Sequence, residues 1–161
     1  MGTLAFEDQW PSKGDYDFND LVIDYNFNAI TNAQNQVTQI RAAITTKAIG
    51  ASYHSGFGIQ LPVSSDLVAS VTGTDVRNAA IVRNANGTEA GQSKATIIVY
   101  DDAFNQLPWP GSGIGVNTTA GAPYVQPKTI NLVINLTTPV NMTTLGLAPY
   151  NAFIFTNRNR A

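Results

Sequence analysis

At 161 residues and 43% hydrophobic content, the chain is long enough to bury one ordinary globular core. Only 12% of its residues are charged, about half the usual share, and the net charge is −2. The nine Lys and Arg residues form no basic run, which argues against a nucleic-acid partner or a polybasic membrane contact, and the absence of cysteine excludes disulfides and thiolate metal sites.

Polarity comes instead from Asn, Thr, Gln, Ser and Gly, which suit strands and turns better than helices. No apolar stretch approaches the length of a transmembrane span. The start, Met1-Gly2-Thr3 running straight into Leu4-Ala5-Phe6, carries no signal-peptide pattern and reads as a domain taken from a longer precursor. The abrupt end after Asn157-Arg158-Asn159-Arg160-Ala161 reads as a truncated one.

The first feature in chain order is an acidic segment, residues 7–24. Glu7, Asp8, Asp15, Asp17, Asp20 and Asp24 are six of the eleven acids, and Lys13 is the only base among them. Such crowding is repulsive unless a positive charge sits within it. Asp15, Asp17 and Asn19 fall at i, i+2 and i+4, with Asp20 next, so oxygen-bearing side chains on a curling loop converge on a hard cation. The opening resembles the D-x-D-x-N start of an EF-hand loop. It departs at position six, which is Asp20 rather than Gly, and at position twelve, which is Asn26 rather than Glu. All the candidate ligands are oxygen, so calcium is expected rather than zinc or copper, and their number suits calcium better than magnesium. The metal set is Asp15, Asp17, Asn19 and Asp20, with Asp8 and Glu7 reaching in from the preceding strand and Asp24 as the outermost member. A solvated, Asx-rich turn is the plainer alternative. Trp10-Pro11 reads as a packing plug for this segment.

Period-2 alternation then dominates. Leu21, Ile23, Tyr25, Phe27 and Ala29 make one face of a strand, with Asp20, Val22, Asp24, Asn26 and Asn28 on the other. Asn32-Ala33-Gln34-Asn35 turns the chain, and Ile40, Ala42, Ile44, Thr46 and Ala48 continue the dry face of a long antiparallel hairpin. Shorter strands are expected at Gly56–Leu61, Leu67–Val71, Ala80–Arg83 and Lys94–Tyr100, then Lys128–Thr137 and Ala152–Phe155. Residues 101–127 are rich in Gly and Pro and read as a long loop. Helical periodicity is nearly absent. The expected fold is all-β: one domain over 1–161, an antiparallel β-sandwich of jelly-roll type with long loops and little helix.

Other chemistry-bearing residues are few. His54 is the lone histidine and reads as a loop residue bonded to backbone. Glu89, in the turn Asn84-Ala85-Asn86-Gly87-Thr88-Glu89, reads as solvated. Asp101 and Asp102 end an apolar strand and, with Asn105, form either a second cation site or a simple strand-ending turn. Phe104, Trp109 and Tyr124 on the long loop are candidates for contact with a sugar or peptide, or covers for a core edge. No Gly-x-Ser-x-Gly elbow or catalytic pairing is visible, so an enzyme is not expected.

The run from Leu4-Ala5-Phe6-Glu7-Asp8 through Gly14-Asp15-Tyr16-Asp17-Phe18-Asn19-Asp20-Leu21-Val22 resembles the opening signature of LruC-type domains of bacterial exported and surface proteins. It is also similar to calcium-loop domains of large secreted adhesins. Weaker matches are His54–Pro62, Ile97–Phe104 and Ala148-Pro149-Tyr150-Asn151. The resemblance implies a bacterial, extracellular or cell-surface β-domain whose acidic loop binds calcium. The function expected is a calcium-binding module for adhesion or for binding a glycan or peptide. The alternatives are a structural subunit of a surface filament or layer, meeting sister subunits, and, ranked last, a polysaccharide-acting enzyme.

Overall fold

The computed structural model describes residues 1–7 and 13–156. Eight strands carry the fold: β1 (Gly2–Phe6), β2 (Leu21–Thr31), β3 (Gln36–Ala48), β4 (Gly56–Gln60), β5 (Val68–Thr72), β6 (Thr96–Tyr100), β7 (Thr129–Asn141) and β8 (Asn151–Phe155). Two single-turn helices, α1 (Ala103–Gln106) and α2 (Met142–Leu145), follow β6 and β7. The strands form two antiparallel sheets, of order β1-β2-β3-β7-β5 and β6-β4-β8. The expected all-β sandwich is therefore the fold, and among the described residues no helix is long and apolar enough to cross a membrane.

Alternation explains the larger sheet. Leu21, Ile23, Ile40, Ala42, Ile44, Leu132 and Ile134 all turn inward and are buried. Tyr25, Phe27, Ala29 and Ile130 extend this face, partly covered. The β2–β3 turn is set by Asn32, whose side-chain oxygen accepts the backbone N–H groups of Gln34 at 3.0 Å and Gln36 at 2.9 Å. Asn35 sits at φ 58°, a left-handed conformation that Asn tolerates and that closes the hairpin.

The smaller sheet opposes this face with Phe57, Ile59, Ile97 and Val99. Each such side chain contributes about 1.5–3 kcal/mol by leaving water. Tyr100 is fully buried, and its hydroxyl accepts a hydrogen bond from Thr46 at 2.9 Å, so the one polar atom of that ring is satisfied across the two sheets. Burial pushes the Tyr100 phenol upward, and the Thr46 bond offsets a part of that shift. On the outer face of the small sheet, a Cβ at Gly58 would collide with the ring of Phe153. Glycine there lets the aromatic ring lie flat on the strand.

Two expectations are corrected. The segment 80–83 holds a turn, a bend and one isolated bridge from Arg83 to Glu89 rather than a strand: only Ile81 is buried, while Val82 is 65% exposed. Side-chain caps hold it, with Asn78 accepting from Ala80 N–H at 3.0 Å and Asn84 donating to Thr88 at 3.0 Å. Glu89 is buried rather than solvated; its Oε2 accepts from Gln92 at 3.2 Å, and its backbone N–H donates to Thr96 at 2.7 Å.

Candidate metal site and the neighbouring cleft

The acidic segment enters β2 through a loop that curls. Tyr16 and Phe18 lie at φ 60° and 52°, alternating with Asp15, Asp17 and Asn19. Left-handed backbone costs roughly 1–2 kcal/mol for such residues, and both rings stay half exposed rather than packing away. The curl brings carboxylates together: Glu7, at the end of β1, and Asp15 and Asp17 each offer an oxygen, and these oxygens lie within 4.8 Å of one another. Two ligands of one calcium ion are separated by at most about twice a calcium–oxygen bond, roughly 4.6–5.2 Å. The spacing is therefore one that a single ion can span.

Glu7 is the unsatisfied member. Its Oε2 is shut off from solvent and has no hydrogen-bond partner. Its carboxyl is held above the usual range by desolvation first, then by contact with the Asp20 carboxyl, and then by the charges of Asp20, Asp15 and Asp17. Two carboxylates hold such a contact only by sharing a proton or a cation. Asn19 steadies Asp17, donating its backbone N–H at 3.2 Å and its side-chain amide to the two carboxylate oxygens. Glu7, Lys13, Asp15 and Asp20 border an open cleft of about 460 Å³ that residues 50–53 and Ile114 also line.

The remaining residues of the expected metal set divide. Asp8 lies outside the described residues, as does Trp10-Pro11. Asp24 is engaged elsewhere, accepting from the Thr3 hydroxyl at 2.7 Å and facing the Lys47 ammonium at 3.6 Å on the outer face of the large sheet.

The expected second cluster is arranged quite differently. Asp101 and Asp102 are buried at the end of β6. Asp101 Oδ2 accepts the backbone N–H of Asn78 at 2.6 Å, while its Oδ1 is buried without a partner. Asp102 caps α1, accepting from Phe104 N–H at 3.0 Å, and its second oxygen meets His54 Nδ1 at 2.8 Å. Asn105 accepts from Arg77 at 3.2 Å. Arg77 also clamps Asp75 through two bonds of 2.8 Å, and Gln106 adds a third at 2.7 Å. That bidentate clamp holds the Asp75 carboxyl below its usual range, with desolvation opposing it. Backbone donors, a guanidinium and an imidazole thus serve the acids here. His54 bonds a carboxylate, not backbone as expected, and its acceptor is 48 residues distant in sequence.

The long loop contributes a second cavity, of about 510 Å³, lined chiefly by Ser52, His54, Phe104, Pro108, Trp109 and Ile114. It brings together two of the three aromatic residues expected to meet a ligand, Phe104 and Trp109. Tyr124 is exposed and is not among the lining residues. The His54 and Phe104 rings lie 4.9 Å apart. Trp109 donates its indole N–H to the Gly113 carbonyl at 3.2 Å. This cavity shares Ala51, Ser52 and Ile114 with the acidic one. The shared wall is tied to the acidic loop, since Gly50 N–H donates to the Asn19 carbonyl at 2.8 Å. A Cβ on Gly50 would collide with the Asn19 side chain, so the close approach requires glycine.

The family model of a domain of unknown function (DUF4842) matches residues 35–161. That span takes in the Gly50–His54 wall and the long loop, and begins after the acidic segment. No curated protein and no solved structure matches the chain.

Proposed function

The chain belongs to the DUF4842 family, a domain of unknown function, and we propose that it is a calcium-binding β-sandwich module of an exported bacterial surface protein that serves adhesion by binding a glycan or peptide. The observation that carries the calcium reading is the mutual approach of Glu7, Asp15 and Asp17 oxygens to within 4.8 Å, with Glu7 Oε2 buried and unpartnered. A divalent ion offsets the repulsion that otherwise favours protonation of Glu7. Calcium suits an all-oxygen set on a flexible loop, with backbone carbonyls and water completing six to eight ligands. The similarity of the opening block to LruC-type domains supports the exported setting, and the cavity beside Trp109 supports ligand binding.

The test is titration calorimetry on metal-stripped protein. Calcium is expected to bind with one saturable phase, and Asp17→Ala is expected to abolish it. Absence of heat in the unsubstituted protein, under conditions where its melting curve shows it folded, rejects the calcium reading.

A further inference from the structure

We propose that the cavity between Trp109 and His54 binds a neutral pyranose ring, with Trp109 as the stacking platform and His54 as the hydroxyl contact. This names the ligand class for the binding role proposed above and rests on that role.

Trp109 is 55% exposed, yet its orientation is fixed. The indole N–H is bonded to the Gly113 carbonyl at 3.2 Å, and Pro108 and Pro110 restrict the backbone on either side. An aromatic ring held in place before binding loses little entropy when a ligand covers it. The electron-rich ring face attracts the weakly positive C–H face of a sugar. Phe104 and Ile114 extend the apolar surface on which a ring can rest.

The polar side of the cavity is equally specific. His54 Nδ1 is held at 2.8 Å by Asp102, which is itself buried and committed to capping α1. The remaining ring nitrogen, Nε2, is the one available to a ligand. Ser52 lines the same space, and among the described lining residues there is no carboxylate, lysine or arginine. An anionic ligand would find no fixed cation and a cationic one no carboxylate, whereas a neutral polyol matches these walls in charge. An aliphatic peptide side chain would use Trp109 and Ile114 but leave Ser52 and His54 desolvated without partners, which costs affinity. The volume of about 510 Å³ lies within the small-ligand range.

Position adds a dependence on calcium. The wall formed by Ala51, Ser52 and Ile114 belongs to both cavities, and Gly50 fastens it to Asn19. An ion that fixes the acidic loop fixes one wall of the sugar site, so calcium is expected to tighten sugar binding.

The experiment uses the whole chain with four neutral hexaoses, of β-1,4-glucose, β-1,4-mannose, β-1,4-xylose and α-1,4-glucose, in calcium and in chelator. Polygalacturonate and an uncharged Ile/Phe-rich peptide run beside them. Calorimetry is expected to show millimolar or tighter saturation by at least one hexaose, weakened by chelator. Trp109→Ala is expected to lose about tenfold in affinity with an unchanged melting temperature, and Trp109→Phe to retain most of it. His54→Ala is expected to weaken binding less. The proposal is overturned if no hexaose saturates, if Trp109→Ala binds as well as the parent, or if only the peptide or polygalacturonate binds. The two readings part cleanly: sugar binding without any calcium heat sinks the ion and its coupling alone, and calcium heat without sugar binding sinks the sugar site alone.

Discussion

Two groups of acidic residues flank the Gly50–His54 wall, and they have opposite surroundings. At the end of β6, Asp75, Asp101 and Asp102 are served by Arg77, Gln106, His54 and the backbone N–H groups of Asn78 and Phe104. At the start of β2, Glu7 meets Asp20, Asp15 and Asp17; its buried Oε2 has no donor, a lack that Asp101 Oδ1 shares, so what sets this group apart is the crowding of like charges around Glu7. Carboxylates supplied with hydrogen-bond donors act as structural caps and clamps. Carboxylates crowded against one another repel, which supports the cation proposed at the start of β2, although Asp17 there also takes two donors from Asn19. Acid content alone would have ranked the two groups as equivalent sites; the donors around them separate their roles.

The largest expected effect tests that separation directly. Calcium at a hundred times its Kd should add about 2.7 kcal/mol, or roughly 5–10 °C in melting temperature for a chain of this size. Asp17→Ala should remove the gain, while Asp102→Ala should leave it intact. Differential scanning calorimetry with and without chelator reads both. A calcium gain lost equally in the two variants would merge the clusters into one site and break the comparison.

How much of this was legible in the sequence follows from the range of the forces involved. The hairpin of β2 and β3 was readable because Leu21, Ile23, Ile40 and Ile44 repeat with the two-residue period of the pleat, a local signal. The convergence of Asp15 and Asp17 was readable for the same reason. A strand before the acidic segment, with Glu7 reaching in from it, was expected, and β1 pairs Leu4 with Ile23 and delivers Glu7 to the loop; its five residues carry too little pattern to give its partner or register. The bond from His54 to Asp102 continues the β4–β6 pairing just beyond its end, and because the partners lie 48 residues apart in sequence nothing local to either announces it. The helix α1 had a local cue, Asp102 before Ala103-Phe104-Asn105-Gln106, where Asp is a favoured N-cap. Val82 reads as a strand residue by propensity, yet it is exposed, because local side-chain bonds of Asn78 and Asn84 offer this segment an alternative to a strand.

A middle-sized effect sharpens the structural half. Asp102→Ala removes the cap of α1 and is expected to cost about 0.5–2 kcal/mol irrespective of calcium. It also frees the His54 ring, so sugar binding should weaken more than the loss of stability explains. Denaturant unfolding gives the first quantity and calorimetry the second. In the core between the sheets, Thr46→Val leaves the buried Tyr100 hydroxyl without its donor, at an expected cost of about 1–3 kcal/mol and with no change in calcium affinity.

The smallest effect is one of sign, and it distinguishes the two groups by pH. Asp75 has a folded pKa below its unfolded value, so the stability it contributes is present above the ordinary carboxylate range and fades as pH falls through the folded value. Glu7 has a folded pKa above its unfolded value, so the folded state binds the proton more tightly. Its contribution is favourable below the ordinary glutamate pKa of 4.5 and is lost as pH rises through the raised value. In chelator, Glu7→Gln should therefore lose this part of the pH dependence and become more stable than the parent near neutrality, because one repelling charge is gone. In calcium the order should reverse, since the amide is a poorer ligand than the carboxylate it replaces. Melting curves of parent and Glu7→Gln across the acid-to-neutral range, each with and without calcium, read both signs. A variant that is less stable than the parent in chelator at neutral pH would mean that Glu7 already has a partner within the protein, and the acidic corner would then need no ion.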